Sequence, residues 1–173
     1  MKVIFLDIDG VLNSERSFIG GNHRSKDPKY ADMSYQERFA HCTIDQVACD
    51  LINRLLIDFD AWIVVSSSHR LHFKDGPNKV KELQEYMTSL GIHGERVIGW
   101  TPSLNGPRGL EIHTWLEQHP EVEMYVIFDD SIDMLEEQQD RFINTDMAVG
   151  VSAEDYRKAT RLFGKPDTRI VLL

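Results

Sequence analysis

Four consecutive apolar residues near the start of the chain, residues 3–6, place the strongest constraint on its fold. A half-buried strand alternates apolar and polar residues, whereas this run is apolar on both faces, as in a central strand of a parallel sheet. The run ends at two carboxylates, Asp7 and Asp9. Ligands bind at the carboxyl ends of such strands, because the loops leaving the strands form a crevice there. The pattern therefore predicts a binding site at this end of the sheet.

Strand and helix patterns alternate along the rest of the chain. Apolar runs predict further strands in AWIVV at 61–65, RVIGW at 96–100, EMYVIFDD at 123–130 and RFINT at 141–145. Helical periodicity predicts helices at 43–59, around 80–90 before Gly91, at 109–119, and between Ser152 and Gly164. Thr43 and Gln46 fit a capping box at the start of the first helix. The alternation predicts an α/β fold: a three-layer, Rossmann-like parallel sheet with helices on both faces.

Chain length predicts a single domain over residues 1–173. A chain of 173 residues with 42% hydrophobic residues can bury one core and is short for two. Residues 14–40 contain Gly, Ser, Asp and Pro without any period, so we expect a loop or a small cap insertion over the crevice. No run approaches the roughly 20 apolar residues of a membrane span, so we expect a soluble, cytoplasmic protein with no membrane partner.

The formal net charge of −9 bears on the partners that the chain can bind. Binding to nucleic acid through bulk electrostatics depends on Lys and Arg that neutralise phosphates, so no stable bulk nucleic acid binding is expected. A local basic pocket remains compatible with this charge. An acidic protein that handles a phosphorylated substrate needs a metal ion to offset its own carboxylates.

Polar residues follow three of the predicted strands at the point where each strand ends. They are Asp7 with Asp9, Ser66 with Ser67 and then Arg70, and Asp129 with Asp130. Asp and Ser also cap ordinary turns and helices, which explains any one pair but is a poor explanation for three strand ends that share one edge. Carboxylates gathered in this way repel each other, and a hard cation resolves the conflict. Oxygen ligands of this kind favour Mg²⁺, completed by substrate phosphate oxygens.

Three segments resemble the motifs of a known superfamily. FLDIDGVLN, VVSSSHR and VIFDDSIDM resemble the first, second and acidic fourth motifs of the haloacid dehalogenase (HAD) phosphotransferases. Within that superfamily, SSSHR, RGLEIHTWL and RFINTDMAVGVS are most similar to the HAD domains of Swiss Army knife RNA repair proteins. That group usually has tryptophan where this chain has His69. The resemblance implies a HAD-like fold with a minimal cap.

The resemblance also implies roles for the acidic residues. Asp7 is expected to be the nucleophile and a magnesium ligand, and Asp9 the general acid and base, with its backbone carbonyl on the metal. Asp130 is the preferred last carboxylate ligand, with Asp129 beside it and Asp133 further out. Because dehalogenating members lack the second Asp and transport ATPases have Thr there, Asp9 points to phosphatase or phosphotransferase chemistry.

The remaining roles concern the transferring phosphoryl group. The resemblance implies a hydroxyl contact, for which Ser66 is the first choice and Ser67 the second. The third motif supplies a Lys or Arg, and Arg108 is the candidate because it directly precedes a predicted helix. Rival cations are Lys74, Lys79 and Lys81. Arg70 follows the serines closely enough to bind phosphate with its planar fork, although it could equally cap the turn.

These observations predict a magnesium-dependent phosphomonoester hydrolase that works through an aspartyl-phosphate. One alternative is a phosphoacceptor domain of the response-regulator type, but receivers have adjacent acids after the first strand and the phosphoacceptor after a later one. Another is a phosphate-binding module of the same fold without turnover. A zinc site at His69 and His72 lacks further ligands of suitable spacing. The substrate stays open between a small phosphorylated metabolite or nucleotide and a nucleic acid phosphate end, and so does the oligomeric state.

Overall fold

A five-stranded parallel sheet lies at the centre of the part of the chain that the computed structural model describes, residues 1–73 and 76–164. The strands are β1 (Lys2–Leu6), β2 (Ala61–Val65), β3 (Val97–Trp100), β4 (Met124–Asp129) and β5 (Phe142–Asn144). Their order is β3-β2-β1-β4-β5, and every neighbouring pair is parallel. The apolar run at residues 3–6 therefore lies in the central strand, as its pattern predicts. This arrangement confirms the predicted α/β fold.

Helices cover both faces of the sheet. They are α1 (Glu15–Arg24), α2 (Tyr35–Thr43), α3 (Gln46–Phe59), α4 (Lys79–Leu90), α5 (Arg108–Glu117) and α6 (Ala153–Phe163). Ile4 and Leu6 of β1 face a core shared with α3, α4 and α6, while Val3 and Phe5 face a second core with α5. The Phe5 and Trp115 rings meet edge to face at 5.5 Å. Because β1 alternates between two cores, it has no polar face, and each fully buried side chain contributes about 1.5–3 kcal/mol.

The helix ends show where the sequence signals hold and where one fails. Gly91 ends α4 with φ of 98°, a left-handed conformation that suits glycine. Ser152 caps α6 through a capping box with Asp155. The capping box predicted for Thr43 and Gln46 is wrong, because α3 begins at Gln46 and Asp45 accepts a hydrogen bond from the Val47 backbone N–H. Thr43 instead ends α2, where its hydroxyl donates to the Phe39 carbonyl.

Residues 14–43 form an insertion of two helices, α1 and α2, between β1 and α3. The helices approach closely at Gly21, where a Cβ atom would lie 2.0 Å from the Cys42 carbonyl oxygen. The two chain segments that flank the insertion, which we call its neck, are joined by backbone contacts. Asn13 forms an isolated antiparallel bridge with Ile44, and the Asp45 N–H donates to the Leu12 carbonyl at 2.8 Å. The chain thus enters and leaves the insertion beside the turn that carries Asp9.

One candidate cation cannot be compared with the structure, because Lys74 lies outside the described residues. Within the described ranges, no helix has the length and apolar character needed to cross a bilayer.

Candidate active site

Three strand ends bring their polar residues to one edge of the sheet. Leu6 of β1 stands opposite Val65 of β2 and Phe128 of β4. The next residues extend this ladder, because the Asp7 N–H donates to the Phe128 carbonyl at 3.0 Å and the Ser66 N–H donates to the Leu6 carbonyl at 2.9 Å. The parallel register therefore places Asp7, Ser66 and the end of β4 side by side.

Three carboxylates converge at this edge. Asp7, Asp129 and Asp130 each offer an oxygen, and these oxygens lie within 4.8 Å of one another. The turn after β1 makes room for this cluster at Gly10, which has φ of +69° and where a Cβ atom would lie 2.5 Å from the Asp130 Cγ. A larger residue at Gly10 would therefore displace the Asp130 carboxylate.

Burial and mutual repulsion alter the acidity of the cluster. Burial raises the pKa of Asp129 to about 7, and the neighbouring Asp7 charge adds to the shift. Burial also raises the pKa of Asp7, against hydrogen bonding from Ser67 and the charge of Arg108. Arg108 lies with its Nε 3.3 Å from Asp129 Oδ2 and its Nη2 3.8 Å from Asp7 Oδ2. One guanidinium thus offsets only part of the negative charge.

The cluster has the chemistry of a magnesium site. Its ligand atoms are all carboxylate oxygens, which hard cations prefer. Asp129 Oδ2 is buried and, apart from its 3.3 Å ion pair with Arg108 Nε, makes no hydrogen bond within the described residues, although a buried acceptor normally has one. A divalent cation among Asp7, Asp129 and Asp130 would satisfy this oxygen and neutralise the excess charge. The residues present therefore fit Mg²⁺.

Asp9 lies outside the carboxylate cluster, where its side chain contacts Asn13 and His69. Its Oδ1 accepts a hydrogen bond from Asn13 Nδ2 at 2.7 Å, and its Oδ2 lies 3.0 Å from His69 Nε2. The other ring nitrogen of His69 lies 2.7 Å from the Tyr86 hydroxyl. The hydrogen bond from His69 is the main reason why the pKa of Asp9 is below its usual value. The carboxylate remains half exposed and borders a cleft.

The two serines after β2 occupy different surroundings. The buried Ser67 side chain lies close enough to Asp7 to lower the pKa of that carboxyl, and its hydroxyl accepts a hydrogen bond from the His69 N–H at 3.3 Å. Ser66 is also fully buried, and its hydroxyl has no hydrogen-bond partner among the described residues. Ser67 thus lies beside Asp7, the expected nucleophile, while the Ser66 hydroxyl can still donate a hydrogen bond to a ligand. Which of the two serines contacts the phosphoryl group stays a prediction.

Arg70 joins the loop after β2 to α5. Its Nη1 donates to the Ser67 carbonyl and its Nη2 pairs with Glu111 Oε2, each at 2.6 Å, and both side chains are buried. Glu111 Oε1 also accepts a hydrogen bond from the Leu104 N–H at 3.0 Å. These contacts give Arg70 a structural task, while its expected contact with phosphate stays a prediction.

Among the described candidates for the third motif, Arg108 is the cation beside Asp7. It is the first residue of α5, and its backbone N–H donates to Asp133 Oδ2 at 2.8 Å. Lys79 instead lies 4.2 Å above the Trp100 ring, and Lys81 forms an exposed pair with Glu85 at 3.8 Å. Asp133, expected outside the metal ligands, thus positions the helix that carries Arg108.

Sequence reasoning missed three residues of this site. They are Asn13 and His69, which contact Asp9, and Glu111, which contacts Arg70. His69 adjoins the serine run and Glu111 lies in the RGLEIHTWL segment, but neither position predicts a partner by itself. Their partners lie on other elements, so only the tertiary structure reveals the contacts.

The fold and the acidic site define a class: α/β domains whose parallel sheet carries an aspartate cluster at its carboxyl edge. The family model for the HAD domain in Swiss Army Knife RNA repair proteins matches residues 3–156, so this chain belongs to that family and to the HAD superfamily. The match confirms the resemblance seen in the three motifs. No curated protein and no solved structure matches the chain.

Proposed function

We propose that this protein is a magnesium-dependent phosphomonoester hydrolase that works through a phosphorylated Asp7. Membership of the HAD domain family supports phosphatase-type chemistry. The observation that carries the proposal is the convergence of carboxylate oxygens from Asp7, Asp129 and Asp130 within 4.8 Å of one another. Arg108 lies beside these carboxylates, and Asp9 follows Asp7 by two residues in the sequence. Such an arrangement can stabilise a phosphoryl group and supply both a nucleophile and a proton carrier.

The first step uses both acids of the DID motif. A carboxylate oxygen of Asp7 attacks phosphorus, the bond between phosphorus and the leaving oxygen breaks, and Asp9 gives its proton to that oxygen. The negative charge of a bound phosphoryl group raises the pKa of the nearby Asp9, which opposes the effect of His69 and favours the protonated acid. Arg108 and the serines after β2 orient the phosphoryl oxygens. Bound magnesium would supply positive charge to those oxygens.

The second step releases the phosphate. Asp9, now ionised, accepts a proton from water as the water oxygen attacks phosphorus of the acyl phosphate. The bond between phosphorus and Asp7 then breaks, which frees inorganic phosphate and the Asp7 carboxylate. His69 and Asn13 hold Asp9 in place through both proton transfers. One group thus acts first as acid and then as base.

The roles of the two acids can be separated by experiment. Asp7→Asn should abolish turnover, because the amide has nearly the same shape but is a far weaker nucleophile. Asp9→Asn should lower turnover of an alkyl phosphate by roughly 10²- to 10⁴-fold and affect an aryl phosphate less, because its better leaving group needs less protonation. We also expect a base-labile phosphoenzyme to accumulate in Asp9→Asn.

The measurements are steady-state hydrolysis of both substrates with Mg²⁺ and with chelator, and detection of labelled protein. Asp140→Asn is the control, because Asp140 is an exposed aspartate away from the cluster. Wild-type turnover in Asp7→Asn, or full activity in chelator, would contradict the mechanism. Phosphorylation of Asp7 without release of phosphate would instead identify a phosphoacceptor module. A panel of phosphorylated metabolites and 3'-phosphorylated oligonucleotides then identifies the substrate class.

A further inference from the structure

We infer that the cleft beside Asp9 binds a planar nucleobase, so that nucleobase-bearing phosphomonoesters are the substrate class; this inference rests on the proposed function. The aromatic cleft is defined by Phe18, Tyr35, Phe39, His69, Phe73 and Tyr86. Its rings come from the two insertion helices, from the loop after β2 and from α4. It therefore lies between the insertion and the sheet domain.

The rings of the aromatic cleft form a continuous wall. Phe39 lies 5.7 Å from His69, and His69 lies 6.0 Å from Tyr86 with the two ring planes only 25° apart. Tyr35 stacks with Phe39 at 6.5 Å and an angle of 29°. The rings thus form a connected aromatic surface along the cleft. The cleft has a volume of about 390 Å³, which falls in the range of small-molecule sites.

Exposure of two rings argues for a ligand rather than for core packing. Tyr35 is 78% exposed and Phe18 is 41% exposed, although burial of such side chains normally stabilises the fold. Both contact Phe39 on the side of the aromatic cleft. Exposed aromatic rings that border a concave site are typical of surfaces that stack on bases.

The position of Asp9 relates the aromatic cleft to the leaving group. Asp9 lines the cleft, and it is also the acid that protonates the leaving oxygen in the proposed mechanism. The group bonded to that oxygen can therefore extend from Asp9 into the aromatic cleft. Gln36 and His72 also line the cleft and offer hydrogen-bonding groups to the edge of a base. A simple aliphatic leaving group would leave these polar and aromatic surfaces without contacts.

The charge of the insertion permits a nucleotide ligand. Residues 14–43 contain five Lys or Arg and four Asp or Glu, which gives this segment a formal charge of +1 in a chain of −9. Arg38 borders the neighbouring groove between α1 and α2, next to Tyr35 and Phe39. The excess acidity that disfavours nucleic acid binding therefore lies outside the insertion.

Nucleoside binding tests the inference without requiring turnover. Calorimetry should detect adenosine binding to the wild-type protein and no binding of ribose. Tyr35→Ala should weaken adenosine binding about tenfold, because stacking on one ring contributes on that scale, and exposed Tyr35 can be removed without loss of core packing. Phe39→Leu gives a second, independent variant. Val47→Ala, on the exposed face of α3, is the matched control and should bind adenosine as the wild type does.

Kinetics provide the second test. The ratio of kcat/KM for a nucleoside monophosphate to that for glycerol phosphate should fall about tenfold in Tyr35→Ala and remain unchanged in Val47→Ala. Comparison of free 3' and 5' mononucleotides with a 3'-phosphorylated oligonucleotide distinguishes the two sources of the base, and a preference for any of them supports the inference. Turnover with no preference for a base, and no adenosine binding, would overturn the inference while leaving the phosphatase intact. Adenosine binding without turnover would support the base site and refute the proposed function.

Discussion

The buried ion pair of Arg70 and Glu111 shows how two side chains connect separate elements beside the site. Arg70 connects the loop that carries the serines to α5, the helix that begins at Arg108. Burial lowers the pKa of Arg70, and the charge of Glu111 opposes this effect. Removal of one partner of a buried pair leaves an uncompensated charge.

Glu111→Ala should therefore destabilise the protein by about 3–5 kcal/mol. Glu111→Gln should be milder, because its amide oxygen can still accept the hydrogen bond from the Leu104 N–H. The control is Glu85→Ala, whose exposed partner Lys81 should make the change worth less than about 1 kcal/mol. Urea unfolding measures all three, and equal midpoints for Glu111→Ala and Glu85→Ala would contradict the role of the buried pair.

At this scale the sequence predicts residues better than it predicts contacts. Asp7, Ser66 and Asp129 follow apolar strands, so the parallel register alone brings them together. The contact between His69 and Asp9 requires the loop after β2 to turn toward the β1 loop, and periodicity carries no information about that turn. The buried oxygen of Asp129 is likewise visible only in the packed structure.

Among the elements, the insertion is where sequence patterns were weakest. The sequence predicts a loop or a small cap for residues 14–40, and the structure contains α1 and α2 there. Ser34 and Glu37 do form a capping box at the start of α2, a signal that the scattered Gly and Pro residues obscured. Packing of the two helices against each other compensates for the poor helix propensity of Gly20 and Gly21 in α1. The first four strands were predictable because each is a short, mostly apolar run.

The two adjacent glycines of α1 should respond in opposite ways to alanine. A Cβ atom at Gly21 would lie 2.0 Å from the Cys42 carbonyl oxygen, so Gly21→Ala must separate α1 from α2 and should lower stability. At Gly20 the nearest atom is Arg24 Nη1 at 3.5 Å, so Gly20→Ala should raise stability through better helix propensity, by about 0.5–1 kcal/mol. Melting temperatures and limited proteolysis of the insertion check both changes. The same sign for both variants would refute the close helix contact.

For the whole molecule, the acidic site should make stability depend on pH and on magnesium together. The folded-state pKa of Asp129 is raised to about 7 from 3.8, so folding favours its protonated form. The metal-free protein should therefore lose stability as pH rises from about 4 to about 7, because the folded state must then bear the buried charge. Because Mg²⁺ at the proposed site would bind the ionised carboxylate, its stabilising effect should be greater at pH 8 than at pH 5.

Thermal melts with millimolar Mg²⁺ and with chelator, taken from pH 5 to pH 8, measure this linkage. Asp129→Asn should remove most of the pH dependence of the magnesium shift, because the amide does not titrate. Asp140→Asn again serves as the control. An equal magnesium shift at both ends of the range would count against a metal held by Asp129.

The closed neck of the insertion makes it a modular part of the molecule. Because Asn13 pairs with Ile44 and Asp45 bonds to Leu12, both ends of α1 and α2 meet at one point on the sheet domain. An insertion of another length or sequence could be grafted at this junction without altering the strand register behind it. Under the proposed function, such a graft would replace the aromatic rings of the insertion and leave the carboxylate cluster of the sheet in place, so substrate selectivity would change separately from the reaction.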